Sequence, residues 1–532
     1  MNFITVPFVV FFLGVLCGCR LLRDRPALFR VFLLAAGLVF YAAGGLYALP
    51  LLPWEAAVAW GAGRLAGRAA PRAPADAGLR SNEFECRTPK FLKNRRSLIS
   101  QKTAGSGRAS AIPVCFQQKA NRYEAGRRWA AGIGIALCLS PLALLKYCEF
   151  FLGGLYDLGL DRLAVLVPPE IADWALPAGL SFYSFQAVAY IVDSYRHPEE
   201  KPASFADLLS YLAFFPTVLC GPILRPGDFL AQAARAPARA VDAAGSTALI
   251  LSGLFKKVVL ASFLSEHAVR EVFALPETYS SGTVLLATYA YAVQIYCDFS
   301  GYTDLATGIA GFMGFTLPRN FDAPYSSCNI REFWRRWHIT LSSWLRDYLY
   351  IPLGGNRKGS ARHCVNLLLT MVLGGLWHGA HLRFIVWGLL HGAALVLPLL
   401  LRKVFPAAQG GSARGAPAAS PALGPLCARF ATFHYVCAAW VFFRAEDIPT
   451  ALSILERIAL WNEPGDMLPF TVPLAVAAGL VIQWAGPAVR AAFLHLQDAF
   501  CRPLQALLAA LLAGLILRMG PDGVFPFIYF SF

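Results

Sequence analysis

Two histidines stand where a histidine needs a reason. His338 closes the run Phe333-Trp334-Arg335-Arg336-Trp337-His338, and His378 lies in Gly374-Gly375-Leu376-Trp377-His378-Gly379-Ala380-His381. Each follows a tryptophan and sits beside or inside an apolar segment. Five of the chain's nine histidines fall between Asn320 and Gly392. An ionisable side chain in such a setting is costly and points to function. The chemistry it suggests is general-base catalysis: a neutral imidazole, shielded from water, can take a proton from a weak hydroxyl nucleophile.

Other chemistries are less well served. His378 and His381 have a spacing that suits a metal, but the nearest carboxylates along the chain are Asp347 and Glu446, so no metal is expected. No Gly-x-Ser-x-Gly elbow occurs in a hydrolase context, so covalent serine chemistry is not indicated. The remaining histidines, His363, His381 and His391 included, read as structural, with His391 expected to be hydrogen-bonded.

The elements that must position His338 and His378 come next. From Trp334 to Tyr350, the residues Trp334, Trp337, Leu341, Trp344, Leu345 and Tyr348 recur at helical spacing, with Arg335, Arg336, Arg346 and Asp347 largely opposite. This predicts an amphipathic helix in the membrane interface. It is either a plain anchor or a helix that presents His338 to a reaction chamber. Asp347 directly follows Arg346 and is expected to pair with an arginine a turn away, with Arg335 or Arg336 only if the helix bends. Pro352-Leu353-Gly354-Gly355-Asn356-Arg357-Lys358 reads as a glycine-rich turn carrying positive charge. Asp298 and Asp304 lie near the end of an apolar run. They are either members of buried ion pairs, with Arg225, Arg331 or the cations around Arg335 as partners, or the polar lining of a tunnel.

Composition sets the class. Of 532 residues, 57% are hydrophobic and 15% charged, against about 45–50% and about 25% in soluble proteins. The excess lies in long runs, several sufficient to cross a hydrocarbon core of about 30 Å. The fold class expected is therefore an all-α polytopic membrane protein with about eleven to thirteen spanning or re-entrant helices. The net charge of +15 is concentrated between Arg64 and Arg128, where fifteen Lys or Arg face four Asp or Glu, a balance of +11. So the basic total does not argue for nucleic acid. It marks a loop that stays on the cytoplasmic side. The thirteen cysteines form no CxxC pair and read as small buried hydrophobes.

Along the chain, residues 1–63 hold two or three N-terminal spans. Residues 64–128 form a basic insertion with no apolar period, expected to be disordered and cytoplasmic. Residues 129–532 form the main membrane core, with separate spans expected at about 282–297 and about 302–316 and a Gly/Ala/Ser/Pro linker at about 407–424. No fixed-period repeat is visible, which weakens a transporter built from inverted repeats.

At this point a family resemblance stands out. Trp337-His338, the run Arg346-Asp347-Tyr348-Leu349-Tyr350-Ile351-Pro352-Leu353-Gly354-Gly355-Asn356, and Gly375-Leu376-Trp377-His378-Gly379-Ala380 resemble the membrane-bound O-acyltransferase (MBOAT) family, in its bacterial alginate O-acetylation branch. Leu176–Gln186, Asp193-Ser194-Tyr195-Arg196, Gly221-Pro222-Ile223, Tyr296–Asp304, Asn320-Phe321-Asp322 and Phe527-Ile528-Tyr529-Phe530 support it. The resemblance implies helices arranged around a central funnel or tunnel. It implies His378 as the essential histidine at the constriction, with His338 assisting, and a tunnel lined by Trp337, Trp377, Asp298 and Asp304. It implies acetyl-CoA or another acyl-CoA as donor substrate, with no bound cofactor, and Arg335, Arg336, Arg357 and Lys358 as contacts for its phosphates. The setting implied is a bacterial inner membrane, with periplasmic acetyltransferase-like partner proteins and an exported polysaccharide such as alginate as acceptor. D-alanyl transfer, lipid acylation and a transporter or flippase are the alternatives.

Overall fold

The computed structural model describes residues 3–68, 114–157, 176–235, 241–404, 423–461 and 464–520. These are helical nearly throughout, and among them two residues, Tyr279 and Asp466, form an isolated β-bridge. The protein is an all-α polytopic membrane protein. Helices α1 (Val6–Leu21), α2 (Pro26–Ala42) and α3 (Leu51–Ala66) come first, then α4 (Val114–Asp157), α5 (Leu180–Arg196), α6 (Phe205–Leu212), α7 (Ala243–Ala274) and α8 (Ser281–Phe312). The second half holds α9 (Ile330–Arg336), α10 (Ile339–Trp344), α11 (Ser360–His378), α12 (Leu382–Val404), α13 (Leu423–Arg444), α14 (Ile448–Leu460), α15 (Thr471–Asp498) and α16 (Arg502–Arg518). Among the described residues, five segments are long and apolar enough to cross a membrane: Asn121–Cys148, Ala243–Ala274, Leu382–Leu401, Gly424–Arg444 and Thr471–Gln497.

Local chemistry starts several of these helices. Ser280, Asn329 and Asp447 are N-caps whose side-chain oxygens accept from the backbone N–H three residues on, at Thr283, Glu332 and Thr450. Proline opens α1 and α2, where its missing N–H is not needed. Of the expected basic insertion, residues 69–113 lie outside the described residues, as do the 407–422 part of the linker and the C-terminal Phe527-Ile528-Tyr529-Phe530 run. Its flanks at 64–66 and 114–128 belong to α3 and α4.

Two expectations are corrected. The spans predicted at about 282–297 and about 302–316 are one helix, α8. The hydropathy falls there because two acids form ion pairs, Asp298 buried and Asp304 partly buried, not because the helix ends. Asp298 pairs with Lys257, and Asp304 lies 2.6 Å from Lys256. These lysines, rather than Arg225, Arg331 or the Arg335 group, are the partners. They sit where α7 widens into π-helical turns over Phe255–Ala261. Gly253 and Gly301 let the two backbones close on each other: a Cβ at Gly253 would lie 2.6 Å from the Gly301 carbonyl oxygen.

The second correction concerns Trp334–Tyr350, which is not one amphipathic helix. α9 ends at Arg336, His338 takes a left-handed conformation (φ 41°), and α10 restarts at Ile339 and continues as a π-helical turn over Leu345–Tyr350. The break is imposed from outside. The segment 320–322 zips onto it, with Asp322 N–H donating to Arg336 O at 2.9 Å and Ile339 N–H donating to Asn320 O at 2.9 Å. The aromatic stripe is nonetheless the buried one, Trp337 and Trp344 included.

Candidate active site

His378 is the last residue of α11, and the chain turns through Gly379 into α12. The two helices lie close because Gly375 and Gly388 carry no side chain: a Cβ at Gly375 would lie 2.2 Å from the Phe384 carbonyl oxygen, and one at Gly388 would lie 2.5 Å from that of Met371. His378 is buried. Its ring meets Trp377, Trp387 and Phe443 edge-on, with centroids at 4.9, 5.1 and 5.1 Å.

His338 is also buried. Phe299 of α8 packs edge-on at 4.6 Å, and the Trp377 ring lies 6.4 Å away. The Trp377 indole therefore contacts both imidazoles. It is packed in turn by Phe182 and Phe185 of α5, each at 5.4 Å. Phe185 stacks on Trp344 at 3.8 Å, and Trp344 Nε1 donates to Phe185 O. Motifs far apart in the chain thus meet in one aromatic cluster. Asn320 Oδ1 reaches His338 Nδ1 at 3.1 Å; Thr340 Oγ1 joins them by donating to Asn320 Oδ1 at 2.9 Å and accepts from Ile223 N–H at 3.1 Å.

The end of α11 is held from across the bundle. Lys146 Nζ donates to the carbonyls of Trp377 and His378 at 2.7 and 2.9 Å, and Tyr147 Oη donates to that of Leu376 at 2.9 Å. These are carbonyls that a helix C-terminus leaves without partners, and a cation is favoured there. Lys146 was missed at the sequence level. The signal was present: it is the sole lysine of the apolar run from Trp129 to Leu152.

The Arg346-Asp347-Tyr348 motif is locked by the other motifs. Arg225 Nη2 pairs with Asp347 Oδ2 at 2.8 Å, and Arg196 Nη2 donates to Asp347 O at 2.8 Å. Both guanidinium groups lie over the Tyr348 ring, whose hydroxyl donates to Asp193 at 2.8 Å. So Asp347 pairs with Arg225 and with its neighbour Arg346, not with Arg335 or Arg336. The glycine turn is confirmed: Gly354, Gly355 and Gly359 have positive φ, and Asn366 Nδ2 donates to Gly355 O at 2.9 Å.

The expected phosphate contacts are dispersed. Arg336 is committed to Glu332 and to the Asp322 carbonyl, whereas Arg335, Arg357 and Lys358 are exposed. Of the expected lining residues, Trp377 touches both imidazoles. Trp337 packs beneath them on Phe321 and Trp440, and Asp298 and Asp304 face Lys257 and Lys256. His391 departs from its expected hydrogen-bonded role. It is fully buried between Trp334 and Trp387, and neither ring nitrogen meets a hydrogen-bond partner among the described residues.

Residues 169–437, half of the chain, match the model of the membrane-bound O-acyltransferase family. The chain belongs to this family. Among its relatives, the probable alginate O-acetylase of Pseudomonas aeruginosa is 38% identical over 343 residues, which is 63% of this chain and 61% of that protein. The peptidoglycan O-acetyltransferase of Helicobacter pylori is 34% identical over 373 residues, 65% of this chain and 67% of that protein. The teichoic acid D-alanyltransferase of Bacillus subtilis is 30% identical over 232 residues, 41% of this chain and 57% of that protein. The chain spans about three fifths of the length of the alginate O-acetylases it matches.

Proposed function

We propose that this protein is an O-acyltransferase of a bacterial inner membrane. It takes an acetyl group from cytoplasmic acetyl-CoA, a substrate rather than a bound cofactor, and passes it across the membrane for O-acetylation of an exported polysaccharide such as alginate. The observation that carries this reading is the pair of buried imidazoles, His338 and His378, bridged by one indole inside a membrane bundle of this family. His378 acts as general base. It takes the proton of the acceptor hydroxyl as oxygen attacks the thioester carbonyl, the C–O bond forms, and the C–S bond breaks. The proton then goes to the departing coenzyme A thiolate. His338 assists beside it. Such a base supplies about 10²–10⁴-fold.

The supporting architecture follows the same reading. Residues 1–63 add N-terminal membrane helices, 64–128 a basic cytoplasmic insertion, and 129–532 the core around a tunnel. The exposed Arg335, Arg357 and Lys358 remain candidates for the coenzyme A phosphates, with Arg336 released from Glu332 to join them. Periplasmic acetyltransferase-like partners complete transfer to the polymer. Relatives named for O-acetyl transfer to alginate and to peptidoglycan favour acetyl over D-alanyl cargo.

The test is a deletion of the gene in the producing strain, with ester-linked acetate on the secreted polymer measured by alkaline release. Acetate is expected to fall to background and to return with the wild-type gene. Unchanged acetate, or loss of D-alanyl esters instead, overturns the reading. Lys146→Met provides a second check. Freeing the end of α11 displaces His378, and a misplacement of about 1 Å can cost about 10²-fold. Acetate release is expected to drop roughly 10–100-fold at unchanged protein level; a variant with full activity would show the clamp to be dispensable.

A further inference from the structure

Asn320 is buried. Its Oδ1 lies 3.2 Å from Thr340 N, 2.9 Å from Thr340 Oγ1 and 3.1 Å from His338 Nδ1. The Thr340 backbone N–H can only donate, so the atom facing it must be the amide oxygen and not the NH₂ group. The opposite face agrees, with Nδ2 directed at Thr303 Oγ1 at 3.4 Å. Because Oδ1 only accepts, His338 Nδ1 must carry the proton. The neutral ring then has its lone pair on Nε2, which is buried and meets no hydrogen-bond partner among the described residues.

The backbone reinforces this arrangement. His338 is one of three non-glycine residues with positive φ among the described residues, and Ala323, at the far end of the segment zipped onto it, is another. Strain of this kind persists where its surroundings over-determine it. Here Asn320 supplies restraint twice, through its carbonyl to Ile339 N–H and through its side chain to the imidazole.

We infer that Asn320 is a positioning residue: it fixes His338 as the Nδ1-protonated tautomer, so that Nε2 enters the reaction solely as a proton or hydrogen-bond acceptor. The inference rests on the acyltransferase reading and narrows the part His338 plays in it. His338 accepts a hydrogen bond from the hydroxyl or from the protonated His378, and does not donate to the acyl oxygen. Loss of tautomer control costs up to about 10⁴-fold where a base depends on it.

The experiment compares Asn320→Leu, which removes the acceptor, with Asn320→Asp, which keeps Oδ1, in membrane vesicles of the producing strain that retain the partner proteins, supplied with acetyl-CoA and acceptor polysaccharide. Asn320→Leu is expected to lower kcat at least about 10²-fold with the acetyl-CoA KM within about twofold of wild type. Asn320→Asp is expected to recover at least a tenth of the wild-type kcat. Thermal melting in detergent identifies variants that have not folded; if Asn320→Leu is among them, Asn320→Ala at the same site takes its place. A folded acceptor-less variant with wild-type kcat overturns the inference. So does an Asn320→Asp variant that is folded and as slow as Asn320→Leu. A wild-type protein that transfers no acetyl group overturns the acyltransferase reading instead, before either variant is measured.

Discussion

His378→Ala is expected to lower ester-linked acetate on the polymer by about 10²–10⁴-fold, the contribution of a positioned general base. The protein should reach the membrane at normal levels, because the ring lies at a helix end. Its backbone carbonyl and those of Leu376 and Trp377 are held by Lys146 and Tyr147, which the substitution leaves in place. The aromatic wall of Trp377, Trp387 and Phe443 limits collapse around the missing imidazole. His378→Gln fills more of the space and separates lost chemistry from lost packing. Both variants should be inactive if the imidazole is the base. Wild-type acetate from either, at normal protein level, would remove His378 from the reaction.

The second large effect is on the fold. Lys257→Met removes the ammonium paired with Asp298, in a position where both side chains are buried. Breaking a buried pair from one side typically costs about 3–5 kcal/mol, because the remaining charge has no compensation. Replacing both partners with apolar groups of similar volume is often close to neutral. The melting temperature in detergent should therefore fall for Lys257→Met and for Asp298→Leu, and largely recover in the double variant. A double variant as unstable as either single one would place the cost in side-chain shape instead. Activity should follow stability, since Asp298 precedes Phe299, whose ring packs on His338.

These outcomes bear on how much of the protein could be read in the chain itself. Long apolar runs state the membrane class directly, because the hydrocarbon core demands them of any spanning helix. The glycine turn at Pro352–Lys358 was legible because Gly354 and Gly355 adopt backbone conformations that other residues avoid. The two tryptophan-flanked histidines were legible because a polar ring in an apolar segment needs a purpose. Hydropathy misread α8 as two spans, because a window average treats Asp298 and Asp304 as an interruption and carries no record of Lys256 and Lys257 opposite. Helical periodicity misread Trp334–Tyr350 as continuous. The spacing is helical on both sides of His338, and the break comes from hydrogen bonds to residues 320–322.

The chain by itself determined the class, the family, the two candidate histidines and the turn, all of which depend on residue type and near neighbours. Tertiary structure alone decided which distant groups meet: Lys146 with the end of α11, Asn320 with His338, Arg225 with Asp347, and the Trp377 indole between two imidazoles. Lys146 and the His378 carbonyl it holds are 232 residues apart. A buried donor must find an acceptor, but local sequence does not say which one. That choice is made when the helices pack, by the geometry that leaves the fewest polar groups unpaired.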